Sequence, residues 1–464
     1  MTPAQALPAV LDRIDADLDK SLDRLFALLR LQSVSTDPAY AAQCRATADF
    51  VAKDLATMGF AAEVRPTSGH PVVIGKGGAG EKGPRVLFYG HYDVQPVDPL
   101  DLWETPPFEP RMSQLPDGRK IIVARGACDD KGQMMTFLEA CRAFHAVTGK
   151  LPIPITAMIE GEEECGSKGL IGFVQDNAGE FRLDLGLVCD TGMWDPKTPA
   201  VTTSLRGLLY EEIFLRCADR DLHSGLFGGG AMNPIRVLAR IIADLHDANG
   251  RVTVPGFYEG VHELPPDIKA ELAALNLTAE EFLGGVGLKV PAGEKDRLLI
   301  EQVTTRPTCD VNGIIGGYTG EGAKTVIPGE ASAKISFRLV GDQDPAKIQK
   351  AFRAFVTERL PADCQVRFGN HTFGPALQLP YDSPVLAKAR KVLSEEWGTK
   401  TVSVGSGGSV PIVGEFKRVL GMDSLLVGFA LEDDRVHSPN EKYDLTSFHK
   451  GIRSWARILA ALAE

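Results

Sequence analysis

The sequence predicts an α/β domain interrupted by an inserted α+β domain, and three observations carry that expectation. Short β-branched runs alternate with helical segments, the pattern of α/β folds. Four runs read as buried strands that end in polar loops: RVLFYGHYD (Arg85–Asp93), IPITAMIEG (Ile153–Gly161), LDLGLVCD (Leu183–Asp190) and SLLVGFA (Ser424–Ala430). From about Ser204 to Ala376 the style changes, and LLYEEIFLR and ASAKISFRLV alternate apolar with polar residues, as sheets with one solvated face do. The expected organisation is residues 1–203 and 377–464 in one domain and 204–376 in the insertion. An inserted domain beside a strand-end cleft suggests a lid.

The remaining elements follow from spacing and punctuation. The first 35 residues place Leu, Ile and Phe at helical intervals between charges. In the insertion, Asn233-Pro234 opens a helix with Ile235, Leu238, Ile241, Ile242 and Leu245 on one face, and Asp344-Pro345 opens another with Ile348, Phe352 and Phe355. There is no internal repeat or low-complexity stretch.

At 464 residues the chain holds two or three domains of roughly 150 residues each. Its 61 acidic and 50 basic side chains give a formal net charge of −11, which argues against a nucleic-acid or anionic-membrane partner, since either needs a basic face. No apolar run approaches the roughly 18 residues of a bilayer span. The N-terminus has neither the basic nor the apolar region of a secretion signal, so a cytoplasmic location is expected. Eight scattered cysteines without a C-x-x-C pair are expected to be reduced thiols.

Chemistry concentrates just past the expected strands. His91 and Asp93 lie in YGHYDVQPVD, Asp129 and Asp130 in ARGACDDKGQ, Glu162–Glu164 in IEGEEECGS, Asp190 in LVCDTG and His437 in DRVHSPNEK. On an extended segment, residues two apart share a side, so Asp93 can take the second ring N–H of a ligating His91. Asp129 or Asp130 can cap the helix that follows while the other points into the cleft. The Glu162–Glu164 run reads either as a solvated turn or as a cluster that a cation neutralises. Carboxylate and imidazole donors without paired cysteines suit Zn²⁺, Mn²⁺ or Co²⁺ in a hydrolytic site, and two such ions need a bridging carboxylate. Three carboxylates around two dications leave one positive charge, which favours a bound hydroxide, and a spare glutamate is then free as general base. Cys128, Cys165 and Cys189 adjoin these residues, but their spacing does not favour a thiolate site.

With these residues in place, the chain resembles the co-catalytic zinc metallopeptidases that include cytosolic dipeptidase and carnosinase, glutamate carboxypeptidase, acetylornithine deacetylase and succinyl-diaminopimelate desuccinylase. The stretch YGHYDVQPVDPLDLWETPPFEP, then DG, ARGACDDKGQ and DLHSGLFGG, is most similar to the dipeptidase and carnosinase branch. The resemblance spans nearly the whole chain. It implies a zinc-peptidase catalytic domain with a central mixed sheet between helices, interrupted by a two-layer lid and dimerisation domain.

The resemblance further implies that His91 and Asp190 hold one metal, Glu164 and His437 the other, and that Asp129 bridges them. Glu163 is then the general base for the metal-bound water, and Asp93 orients His91. His223, a loop histidine when read alone, matches the residue that family homodimers donate across the interface to the scissile carbonyl. Arg338, Thr325, Gly408 and Ser409 resemble anchors of the substrate carboxylate, and His371 resembles a lid histidine. The implied reaction is cleavage of dipeptides or short aminoacyl amides by a metal-bridging hydroxide; N-acyl amino acid deacylation with the same metals is the alternative, and a binding module lacking the chemistry is disfavoured by the complete ligand set. Two departures stand out. Gly405 and Ser406 precede Gly-Gly-Ser where the family commonly has an acidic residue, and Cys165 stands where serine is common, so oxidation there is expected to sensitise the site. His70, His145, His246, His262 and His449 have no family counterpart and read as surface or packing residues.

Overall fold

The computed structural model describes residues 1–369, 373–408 and 410–464. The chain folds as two compact units, one of Met1–Thr203, Leu379–Val404 and Pro411–Glu464, the other of Ser204–Gln378 and Gly405–Val410. The second unit thus takes in two short pieces, 377–378 and 405–410, that lie outside the insertion bounds expected from the sequence. Backbone pairing explains both. Leu377 and Gln378 pair antiparallel with Leu205 and Ser204. The carbonyls of Gly407 and Gly408 accept hydrogen bonds from the side chain and the backbone N–H of Arg206.

In the first unit, strands Ala61–Arg65, Val72–Gly77, Ile155–Glu160, Val86–His91, Leu185–Val188, Ser424–Leu426 and Ala200–Leu205 lie side by side in that order. The four from Ile155–Glu160 to Ser424–Leu426 run parallel, and Val72–Gly77 joins them antiparallel. These parallel strands are buried along their whole lengths, which is why they read as continuous apolar runs rather than alternating ones. Helices Lys131–Thr148 and Leu445–Leu462 cover this sheet around an aromatic cluster: Phe88 stacks on Phe137 at 3.7 Å, and Trp455 meets both rings edge-on at 6.3 and 5.4 Å. A buried side chain of this size contributes about 1.5–3 kcal/mol relative to exposure. The N-terminal helices Pro3–Ala16 and Leu18–Leu29 pack their apolar stripes on the same core, the first opened by a Thr2–Gln5 capping box.

In the second unit, strands Thr308–Gly316, Glu330–Leu339, Gly207–Arg216 and Gln365–Phe368 form an antiparallel sheet in that order. Leu209, Ile213, Ile335 and Phe337 pack against Leu238, Ile241, Ile348 and Phe352 of helices Pro234–Ala243 and Pro345–Thr357. Both helices start where the sequence places them, because the Asn233 and Asp344 carboxamide and carboxylate accept first-turn N–H groups. The first helix ends at Ala243, before Leu245, which is nonetheless buried.

The expectation of eight thiols is corrected. Cys217 and Cys364 form a disulfide across 147 residues of sequence. Arg216 pairs with Gln365 in the sheet, so the next residue outward on each strand is a cysteine. That juxtaposition depends on strand pairing and leaves no mark in cysteine spacing. Among the described residues, no helix is long and apolar enough to cross a membrane.

Candidate metal centre

Three adjacent parallel strands of the first unit deliver acidic and histidine residues at their carboxyl ends, the position where α/β sheets build sites. His91 closes Val86–His91 with Asp93 two residues on, Glu162–Glu164 follow Ile155–Glu160, and Asp190 follows Leu185–Val188. Asp129 comes from the loop that enters helix Lys131–Thr148, and its peptide bond to Asp130 is cis. Gly132 is required there, since a Cβ would lie 1.8 Å from the carbonyl oxygen of Ala127. Gly161 is similarly required before the glutamates, because a Cβ would meet the Tyr92 hydroxyl at 2.2 Å. His437 lies beyond the Glu432–Asp434 turn with φ 62°, a left-handed conformation that costs a side-chain-bearing residue about 1–2 kcal/mol.

Two groups of ligand atoms result, His91 with Asp129 and Asp190, and Asp129 with Glu164 and His437; within each, the atoms lie within 4.8 Å of one another. Asp129 belongs to both. Its Oδ1 is 3.1 Å from His91 Nε2, and its Oδ2 is 3.0 Å from His437 Nε2. His437 Nε2 is also 3.2 Å from Glu164 Oε2, and His91 Nε2 is 4.0 Å from Asp190 Oδ2. Each group offers one imidazole nitrogen and two carboxylate oxygens, donor chemistry that fits a divalent cation. No cysteine sulfur enters either group. Cys128 instead faces Asp434 at 3.3 Å, and Cys189 faces Asp130 at 3.7 Å.

The charges are crowded beyond what the two histidines neutralise. Burial, followed by repulsion from Asp190, Asp129 and Glu164, pushes the Glu163 carboxyl up to about 9 against the pull of His91. Burial and the Asp129 charge push Asp190 up to about 7. Burial works to raise Asp129 too, but the hydrogen bonds from His437 and His91 outweigh it and hold that carboxyl well below the usual range. His437 is raised to about 10 by its bonds to Asp129 and Glu164. Carboxyls that retain protons while imidazoles are held cationic describe a site in which protons occupy the place of a stronger positive charge.

Asp93 does more than its position in the sequence suggests. Its Oδ1 is 3.3 Å from His91 Nδ1, and its two oxygens accept the backbone N–H groups of Glu163 and Glu164 at 3.2 and 3.1 Å. One buried carboxylate therefore fixes both an imidazole and the glutamate turn. Asp130 stands at the helix N-cap but makes no side-chain cap bond; it turns inward and accepts the His91 N–H at 3.2 Å. Sequence reasoning passed over Glu441 and Gln95. Fully buried Glu441 accepts the N–H groups of Gly126, Cys128 and Asp129 and pairs with Arg125 at 2.7 Å, so it shapes the loop that presents Asp129. Gln95 donates to Glu164 Oε2 at 2.9 Å. The available signal for Glu441 was its place four residues after His437 in HSPNEK. A further acidic group, Asp433, Asp434 and Asp444, already has Lys442 Nζ in its midst at 2.9, 2.6 and 3.3 Å.

The other residues singled out from the sequence belong to the second unit. Exposed His223 ends the two-residue strand Leu222–His223, opposite Val326, and its Nδ1 accepts the Gly225 N–H at 3.0 Å. The neighbouring Thr325 carbonyl accepts from Ser224 N–H at 3.0 Å. Arg338 lies in strand Glu330–Leu339 on the face opposite Phe337. Gly408 N–H donates to the Ser406 hydroxyl at 3.1 Å, so the serine that replaces an acidic residue closes this turn. Ser409 and His371 lie outside the described residues. Among the unmatched histidines, His70 bonds the Ser35 carbonyl, His262 pairs with Asp342 and His449 with Asp15.

Comparison with known proteins gives this arrangement a context. The profile of peptidase family M20/M25/M40 matches residues 87–461. A Cys-Gly metallodipeptidase of Schizosaccharomyces pombe is 30% identical over 473 residues, covering 99% of this chain and 98% of that protein. A Beta-Ala-His dipeptidase of Homo sapiens is 29% identical over 404 residues, 85% of this chain and 78% of that protein. The crystal structure of an M20 family metallo-carboxypeptidase from Sulfolobus solfataricus superposes with a TM-score of 0.78 at 31% identity, covering 96% of this chain and 99% of that one. The fold is thus shared with these enzymes, and this chain belongs to peptidase family M20/M25/M40.

Proposed function

We propose that the chain is a metallodipeptidase that cleaves dipeptides or short aminoacyl amides with a free C-terminal carboxylate. The observation that carries this reading is Asp129, shared by two ligand groups, with the protonatable Glu163 beside them and in neither. The dipeptide substrates of the relatives support the reaction class. His91, Asp129 and Asp190 would hold one divalent cation and Asp129, Glu164 and His437 a second, Zn²⁺ first, with Mn²⁺ or Co²⁺ fitting the same donors. When bound, such cations polarise a carbonyl as Lewis acids and lower the pKa of water. Glu163 takes the proton from the attacking water on its carboxylate and returns it to the leaving amine. Asp93 holds Glu163 and His91 in register through the bonds described above.

The second unit would act as the lid and dimerisation domain. Arg338, Thr325 and Gly408, together with Ser409 and His371, would receive the substrate. His223 would reach the scissile carbonyl of a second subunit. Because its Nδ1 accepts the Gly225 N–H, a neutral His223 carries its proton on Nε2, the form that donates to a developing oxyanion. A homodimer is supported by the edge strand Thr308–Gly316, which leaves Ile314 and Ile315 58% and 64% exposed. Light scattering tests the dimer. Mixed His223→Ala and Glu163→Gln heterodimers should recover partial activity if sites are shared, and none if each subunit suffices. The cytoplasmic location proposed from the sequence is tested by cell fractionation; the Cys217–Cys364 bridge weighs against a reducing compartment.

The central test joins metal analysis to a substrate panel. The chain should carry about two divalent ions, lose activity in chelator, regain it with Zn²⁺ or Mn²⁺, and cleave dipeptides faster than tripeptides or N-acetyl amino acids. Activity indifferent to chelation, or faster cleavage of the acyl series, would overturn the reading.

A further inference from the structure

The turn that carries Glu163 and Glu164 is closed at its base by two buried side chains that belong to neither ligand group. Glu160, 1% exposed, ends strand Ile155–Glu160, and its Oε1 accepts the hydroxyls of Tyr89 at 2.5 Å and Ser167 at 2.9 Å. Its Oε2 has no partner among the described residues, so one oxygen makes both bonds. Glu160 and Ser167 bracket residues 161–166, and their hydrogen bond ties the end of that turn to the strand from which it leaves.

Backbone preference does not explain the serine. Ser167 is fully buried with φ 54°, a left-handed conformation in which glycine is less strained than any residue with a Cβ. It also stands at the N-cap of helix Lys168–Asp176, where a serine hydroxyl ordinarily accepts a first-turn N–H, yet it makes no such bond. Glu162 supplies the cap in its place: its carboxylate accepts the Gly169 N–H, and a Cβ on Gly169 would lie 2.1 Å from Glu162 Oε2. With the cap provided elsewhere and the backbone favouring glycine, the bond to Glu160 is what a serine adds at this position.

The two glutamates of the turn depend on that bond unequally. Glu164 has restraints of its own, since Gln95 donates to its Oε2 at 2.9 Å and His437 Nε2 lies 3.2 Å from the same oxygen. The Glu163 carboxylate accepts no hydrogen bond among the described residues, so only the backbone of the turn holds it. Asp93 fixes that backbone from the neighbouring strand, and the Glu160–Ser167 bond fixes its far end. We propose that Glu160 and Ser167 are positioning residues for Glu163, their hydrogen bond being the latch that sets the reach of its carboxylate. The role of Glu163 as general base rests on the dipeptidase reading; the latch itself does not. A base displaced by about 1 Å slows proton transfer without weakening substrate binding, so the loss falls on kcat.

The test uses the full-length, metal-loaded enzyme. Ser167→Gly removes the hydroxyl while relieving the backbone, so its melting temperature should stay near that of the wild type. Its kcat for a dipeptide should fall at least tenfold, with KM within threefold and metal content unchanged. Glu160→Leu should show the same loss, and Glu160→Gln, which keeps the one acceptor oxygen in use, should recover most of it. Added to Glu163→Gln, Ser167→Gly should cost little further activity, because residues that act through one group are not additive. An unchanged kcat or a loss of metal in Ser167→Gly, or additive losses in the double variant, overturns the proposal. Hydrogen exchange separates the latch from the functional reading: the amides of residues 163–167 should exchange faster in Ser167→Gly than in the wild type. Equal exchange overturns the latch. Faster exchange, in a protein whose wild type hydrolyses no dipeptide, would instead sink the functional reading and leave the latch standing.

Discussion

Arg306 and Glu294 in the second unit, side chains 5% and 3% exposed, meet at 2.6 Å, with Glu263 and Arg297 extending the network outward. In the first unit, Asp129, Glu163, Glu164 and Asp190 gather around two imidazoles, and among the described residues no lysine or arginine is an ion partner of theirs. One cluster is balanced by its own side chains. The other leaves carboxyls protonated and imidazoles charged. Burying charge without a partner costs several kcal/mol, so an unbalanced cluster persists where something outside the chain completes it. Lys442 among Asp433, Asp434 and Asp444, by contrast, balances a third acidic group from within the chain.

The sharpest way to break the contrast is Glu163→Gln. It removes a proton carrier without removing a ligand, so kcat should fall by about 10²–10⁴-fold. Metal content, measured by mass spectrometry, should be unchanged; a fall in metal would make Glu163 a ligand. The matching change in the second unit is Arg306→Ala, which leaves buried Glu294 only the longer arginine contacts, to Arg297 at 3.7 Å and Arg251 at 3.9 Å. A stability loss of about 3–5 kcal/mol in urea denaturation is expected, with metal stoichiometry intact.

The pH dependence of the chelated protein tests the same imbalance. Glu163 and Asp190 have folded-state values of about 9 and 7, above their ordinary ones, so the folded chain binds protons that the unfolded chain releases. Their stabilising contribution is complete below the ordinary carboxyl range and is lost as pH rises through about 7 for Asp190 and about 9 for Glu163. The melting temperature without metal should therefore fall between pH 5 and 9. Saturating Zn²⁺ should raise it most at the alkaline end, where the carboxylates are free to bind. A metal-free melting temperature that rises across this window would mean that the cluster is compensated after all.

What the sequence made legible follows the range of the interactions. Caps such as Asn233 and Asp344 act within three residues, and the strand-end ligands stand in short motifs, so both could be read directly. Glu441 shapes the Asp129 loop from more than 300 residues away, and Cys217 finds Cys364 only because two strands pair. Asp93 was visible as a partner of His91, yet its grip on the Glu163 and Glu164 N–H groups needs the neighbouring strand in place. Helices Ala279–Gly284 and Leu299–Thr304 had no strong periodic signal, and both contribute residues to a cavity of the second unit. Gly405–Val410 joined the second unit through hydrogen bonds to Arg206, a contact with no sequence signature.

The smallest expected effect concerns Cys165, where the family's common serine suggested a site open to oxidation. The sulfur reaches the surface, but partial burial and then the Asp93 and Glu162 charges raise its pKa against the Ser35 hydrogen bond. Thiolate, not thiol, is the reactive form, so the same acidic field that favours cations protects this cysteine from oxidants. Cys165→Ser should leave kcat/KM within about twofold, near the limit of what an exposed substitution changes. Peroxide should inactivate the wild type and the variant at similar rates. A variant markedly more resistant than the wild type would show that the field at Cys165 is weaker than the unbalanced cluster implies, as it would be if bound cations neutralise the carboxylates that now shield the thiol.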